Sequence, residues 1–136
     1  MSDELSRGDE TRNPAQILVI DDEPFILEYI GAILSSHNIV PILEYTFEKA
    51  LLQIRSKPVD LVITDLFMPG MGGIEGIKVL KDEFPNIKIL AMSAGFSGLP
   101  PEDAVEAARK IGADAALIKP LQQDYLEVAL ADLGYI

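Results

Sequence analysis

Side chains able to do chemistry stand directly behind four short apolar runs of this 136-residue chain. Ile17 to Ile20 leads into Asp21, Asp22 and Glu23, and Leu61 to Thr64 leads into Asp65. The run ending at Met92 leads into Ser93, and Ala115 to Ile118 leads into Lys119 and Pro120. If the first and third runs are neighbouring strands, Asp21, Asp22 and Asp65 meet within a few ångströms, and two like charges about 4 Å apart cost roughly 4 kcal/mol at an effective dielectric of 20. Such a cluster needs a cation or raised carboxyl pKa values, and hard carboxylate oxygens suit Mg²⁺ or Mn²⁺. Taken singly, each acid has an ordinary role as a helix N-cap or turn residue, Asp22 above all because Glu23 and Pro24 follow it. Capping does not account for acids behind two strands together with an ammonium at Lys119 and a hydroxyl at Ser93.

These residues need a scaffold that gathers strand ends. Five β-rich runs recur, Ile17 to Ile20, Ile39 to Leu43, Leu61 to Thr64, Ile87 to Met92 and Ala115 to Ile118, with segments of helical period between them. Four are almost continuously apolar, as parallel strands covered on both faces are. The first helix opens at Pro24 with Ile26, Ile30, Ile33 and Leu34 on one stripe. The second runs from a Thr46 cap to Lys57, before Pro58, and the third from about Ile74 to Phe84, before Pro85. A fourth has Pro101, Glu102 and Asp103 in its first turn, Arg109 and Lys110 in its last, and Gly112 beyond, all suited to the helix dipole. Leu126, Ala129, Leu130 and Leu133 mark a fifth before Gly134. Alternation from end to end predicts an α/β fold, a doubly wound parallel sheet of five strands with five helices. Ligands of such sheets bind outside the carboxyl ends of the strands, where the chemistry-bearing residues fall.

Composition narrows the function. Acidic residues outnumber basic ones 22 to 11, for a net charge of −11, the wrong sign for gripping a phosphate backbone, so no nucleic-acid binding is expected. The chain has no cysteine, which excludes disulfides, thiolate metal sites and thiol catalysis. The single histidine, His37, falls near the end of the first helix and reads as a solvated helix-end residue. Met68, Met71 and Met92 read as gap fillers beneath loops. Residues 1–14 are polar and without apolar periodicity, and are expected to be a flexible leader to a single domain over 15–136. Neither a signal peptide nor an apolar run of membrane-spanning length is present, which predicts a cytoplasmic protein with no membrane contact.

The motifs IDDEP, TDLFMPGMGG, MSAG and IKPL, each at a strand end and with 44, 28 and 26 residues separating Asp21, Asp65, Ser93 and Lys119 in turn, resemble the receiver domain of two-component response regulators. The likeness runs over about residues 16–133. It implies a flavodoxin-like fold with strand order 2-1-3-4-5. It further implies that Asp65 accepts a phosphoryl group from a sensor histidine kinase or phosphotransfer protein. Asp22 and Asp65 would then ligate Mg²⁺ directly, Asp21 through water, and Phe67 through its backbone carbonyl. Lys119 and the Ser93 hydroxyl would each contact a phosphoryl oxygen, Ser93 by swinging inward. Lys119-Pro120 would be a cis peptide.

Two positions depart from the family pattern. An aromatic residue is usual three positions before the lysine, and here Ala116 stands there; the surface around the fourth helix and fifth strand is therefore expected to signal differently, through the loop from Gly95 to Pro101. Gly72 replaces a common aspartate, so Gly70, Gly72 and Gly73 are expected to loosen that loop. The chain stops after the fifth helix, so the expected output is a conformational switch that acts through a partner protein. A receiver-like interaction module working without phosphorylation is the alternative. A Mg²⁺ phosphohydrolase would need a further acid or base and a capping insertion, for which the loops are too short.

Overall fold

The computed structural model describes residues 15–94 and 100–136; the leader 1–14 and residues 95–99, most of the loop expected to carry output, lie outside the described residues. The described chain alternates strand and helix: β1 Ile17–Ile20, α1 Pro24–Ser35, β2 Ile42–Glu44, α2 Phe47–Ser56, β3 Leu61–Asp65, α3 Gly73–Glu83, β4 Lys88–Ser93, α4 Pro101–Lys110, β5 Ala115–Ile118 and α5 Gln123–Asp132. All strand pairs are parallel and the sheet order is β2-β1-β3-β4-β5. This is the flavodoxin-like doubly wound topology expected from the sequence.

Strand residues point alternately to two apolar layers. Leu18, Ile20, Val62, Ile89 and Ala91 join Phe47, Ile77, Leu80 and Ala104 on one face, while Ile17, Val19, Ile63, Leu90 and Met92 join Leu27, Ile30, Leu126 and Leu130 on the other. Being covered on both sides is why β1 and β3 read as unbroken apolar runs. The edge strands β2 and β5 differ: their residues are only half-buried, and Leu43 and Ile118 are exposed.

Helix boundaries follow local chemistry. Pro24 occupies the first turn of α1, the Thr46 side chain accepts the Lys49 amide at 3.2 Å to cap α2, and Gly112 takes φ +124 just past α4. The second strand begins later than the expected Ile39, because Asn38 turns left-handed at φ 63 and the Ile39 amide donates back to the Leu34 carbonyl at 3.0 Å. Ile39 is thus the buried exit of α1, Val40 is exposed, and Pro41 lacks an amide for the ladder. No helix among the described residues is long and apolar enough to cross a membrane.

Register sets the height of the chemistry. Ile20 pairs with Thr64, and Asp65 pairs with Met92, so the residues after β1, at the end of β3 and at the end of β4 reach the same edge of the sheet. Lys119 follows β5 onto that edge, its amide donating to the Ser93 carbonyl at 2.9 Å. The Lys119-Pro120 peptide is cis.

Candidate functional site

Asp21, Asp22 and Asp65 offer carboxylate oxygens that all lie within 4.8 Å of one another. Their environments differ. Asp21 is fully buried; one oxygen accepts the Glu23 amide at 2.9 Å and the other the Lys119 ammonium at 2.9 Å. Asp65 is nearly buried at the end of β3, where one oxygen accepts the Leu66 amide at 3.1 Å and lies 3.4 Å from Lys119 Nζ. Asp22 is exposed. With Glu23, Phe67, Met68 and Ala94 nearby, Asp22, Asp65 and Lys119 line an open cleft of about 690 Å³.

The electrostatics follow from this packing. Burial pushes the Asp65 carboxyl up to about 6; Lys119 works against that, and the Asp21 and Asp22 carboxylates add to it. For Lys119, burial disfavours the ammonium, but the hydrogen bond to Asp21 and the Asp65 carboxylate more than reverse this and raise its pKa. Lys119 is thus a fixed internal cation that neutralises only part of a larger negative charge. Hard oxygens from three carboxylates, a buried anion already committed to one cation, and a second carboxyl held reluctantly ionised make a donor set that fits a small divalent ion.

Backbone contacts hold the nucleophile candidate in place. The buried Thr64 hydroxyl donates to the Asp65 carbonyl at 2.9 Å, the Leu66 amide donates to the Met92 carbonyl at 3.0 Å, and the Gly73 amide to the Leu66 carbonyl at 2.8 Å. A Cβ at Gly73 would collide with the Asp65 carbonyl oxygen and lie 2.8 Å from Leu66 Cα. Gly73 therefore serves close approach of α3 to the end of β3 and does not loosen the loop, a correction to the sequence expectation. Gly70, at φ +77, is a genuine left-handed position.

The structure brings Asp21, Asp22, Asp65 and Lys119 together and puts Phe67 on the wall of the same cleft. Ser93 is fully buried at the end of β4 and is not among the cleft-lining residues, whereas its neighbour Ala94 is. Ala116 leaves a groove of about 410 Å³ on the outer side of β5, bordered by Arg109, Leu121 and Tyr125. Met68 and Met71 pack onto one apolar layer and Met92 is buried in the other, as gap fillers. His37 pairs with Glu127 of α5 at 2.8 Å, away from the cleft. One contact escaped the sequence reading: the Glu48 carboxylate on α2 accepts the Met71 amide at 3.0 Å. Its only sequence signal is an acid in a helix first turn.

A family model for the response regulator receiver domain matches residues 17–131. The transcriptional regulatory protein ZraR of Salmonella typhimurium is 41% identical over 119 residues, which is 88% of this chain and 26% of ZraR. The heme response regulator HssR of Staphylococcus saprophyticus is 32% identical over 108 residues, 77% of this chain and 45% of HssR. The chain thus spans less than half the length of these curated relatives. The receiver domain of the Francisella response regulator 1452 aligns with a TM-score of 0.78 at 26% identity, covering 88% of this chain and 95% of that one.

Proposed function

This chain belongs to the response regulator receiver domain family, and from that premise we propose that residues 15–136 form a phosphoryl-accepting switch with Asp65 as the acceptor. An Asp65 oxygen attacks phosphorus while the P–N bond of a phosphohistidine donor breaks and its electron pair leaves with the imidazole, giving an aspartyl phosphate. The donor is a sensor histidine kinase or a phosphotransfer protein. Asp22 and Asp65 would hold Mg²⁺ or Mn²⁺ directly, Asp21 through water and Phe67 by its carbonyl. When bound, the ion offsets the charge of the carboxylates and the incoming phosphoryl group. Lys119, already 3.4 Å from Asp65, contacts one phosphoryl oxygen, and Ser93 moves its hydroxyl toward another. The protein works as a switch rather than as an enzyme with an external substrate.

The observation that carries this reading is the convergence of three carboxylates within 4.8 Å with one ammonium among them. Intact-mass spectrometry after incubation with acetyl phosphate tests it. A single Mg²⁺-dependent adduct, labile to hydroxylamine and lost in Asp65→Asn, is expected. Normal phosphorylation of Asp65→Asn sinks the assignment.

The output is control of a downstream protein target in the cytoplasm. ZraR bears the name of a transcriptional regulator; for the present residues, the net charge of −11 favours a protein partner over direct nucleic-acid contact and gives no reason for membrane contact. Ala116 favours one second reading, an interaction module that works without phosphorylation. In that case the protein binds its target equally well with and without the adduct.

A further inference from the structure

We propose that Glu48, in the first turn of α2, is a positioning residue that clamps the β3–α3 loop and so sets how well the cleft wall meets a divalent cation. The inference rests on the phosphoacceptor reading for its consequence, but the clamp itself is a contact within the protein. The loop from Leu66 to Gly72 forms much of the cleft wall, including Phe67, Met68 and Gly70. Its ends are tied down, Leu66 to the Met92 carbonyl and Gly73 to the Leu66 carbonyl. Between those ends the Met71 amide donates to Glu48 at 3.0 Å.

Three features make this contact a mount and not a chance encounter of an exposed acid. Glu48 directly follows Thr46, which caps α2, and Phe47, which is fully buried, so its backbone is fixed by the core. The loop approaches the carboxylate so closely that a Cβ at Gly70 would lie 2.7 Å from Glu48 Oε2. Gly70 also adopts φ +77, so the turn that delivers the Met71 amide favours glycine, and a side chain there would displace the Glu48 carboxylate. The bond in turn holds the Glu48 carboxyl below the usual range. With Gly72 where an aspartate is common, a restraint from a neighbouring helix restores definition to a glycine-containing loop.

A first-turn acid also interacts with the helix dipole, and that simpler role makes a different prediction. Glu48→Gln keeps an oxygen able to accept the Met71 amide and loses the charge, while Glu48→Ala loses both. Hydrogen exchange at the Met71 amide in the metal-free protein is expected to speed up about tenfold in Glu48→Ala and in Gly70→Ala, and to stay within about twofold in Glu48→Gln. Mn²⁺ affinity, read from water-proton relaxation, is expected to fall about three- to tenfold in the same two variants, with Glu48→Gln again close to the parent. Urea unfolding of each variant checks that the fold persists. Unchanged Met71 exchange in Glu48→Ala, or equal losses in the Gln and Ala variants, overturns the clamp. A parent protein that binds no Mn²⁺ overturns the metal part of the phosphoacceptor reading instead, and Met71 exchange then decides the clamp alone.

Discussion

At the ends of β1, β3 and β5, Asp21, Asp65 and Lys119 are buried or nearly so and locked to one another at 2.9 to 3.4 Å, whereas the flank of α4 and β5 is built from small side chains. Ala104, Ala108 and Ala113 are buried there, with Ala115 and Ala116 half-buried on the edge strand. An alanine brings far less apolar surface out of water than the Leu and Ile residues packed around β1 and β3. The first region is therefore held by large apolar side chains and charge pairing, and the second by close approach of α4 to β4 and β5 across small side chains. Asp21 and Asp65 stand at the ends of the strands with the larger buried side chains, while Lys119 is carried to them by the edge strand β5. Ala116 lies in the second region and Asp65 in the first, so substitutions at the two positions test whether the regions are separable.

The largest test of that contrast is Asp65→Asn. Loss of the phosphoryl adduct should be complete, and the substitution should also stabilise the metal-free protein. The Asp65 carboxyl is raised from 3.8 to about 6 in the folded state, so the folded chain binds that proton more tightly than the unfolded one. Its ionisation therefore costs stability above pH 6, and that cost disappears as pH falls through 6 toward 4. Urea unfolding should show Asp65→Asn more stable by about 1–3 kcal/mol at pH 8, and no gain at pH 4. An equal gain at both pH values would break the assignment of the strain to this carboxylate.

Gly73→Ala should come next. The added methyl meets the Asp65 carbonyl oxygen with no flexible side chain to give way, and a loss of about 1–3 kcal/mol in urea unfolding is expected. Slower adduct formation should accompany it, because α3 then pushes on the end of β3. Proton competition gives a third, graded effect. Below pH 6 Asp65 holds a proton, so Mg²⁺ affinity measured by calorimetry should fall by up to about tenfold per pH unit between pH 6 and 5.

The smallest effect should be at Ala116→Tyr, which adds a ring beside the groove of about 410 Å³. Stability should change by less than about 1 kcal/mol, and the rate of phosphorylation by acetyl phosphate should be the same within about twofold. A large change in that rate would show that flank and acid cluster are not separable. A change confined to partner binding would sharpen the contrast.

How far the molecule was legible in its sequence divides along the same physical line. The positions of Asp21, Asp22, Asp65 and Lys119 followed from two local facts, apolar runs and what comes directly after them, because a parallel sheet carries all its strand ends to one edge. The start of β2 was misplaced because Ile39 is apolar for a different reason: it closes α1 over the core after a left-handed Asn38. Gly73 looked like a flexible residue, since no one-dimensional pattern reports that another backbone lies within 3 Å. Glu48 was missed because its partner amide is 23 residues away on a loop whose path depends on α2 and α3 together.

The bond between Lys119 and Asp21 joins residues 98 apart in sequence and on strands separated by two others. The ammonium beside the Asp65 carboxylate is thus supplied by the last strand of the sheet in chain order. Until β5 has docked, Asp21 and Asp65 face each other without it, and a partly unravelled chain lacks the cation of its acid cluster. The acid cluster has its cation only when the sheet is complete, so the wiring of the site doubles as a check on the assembly of the domain.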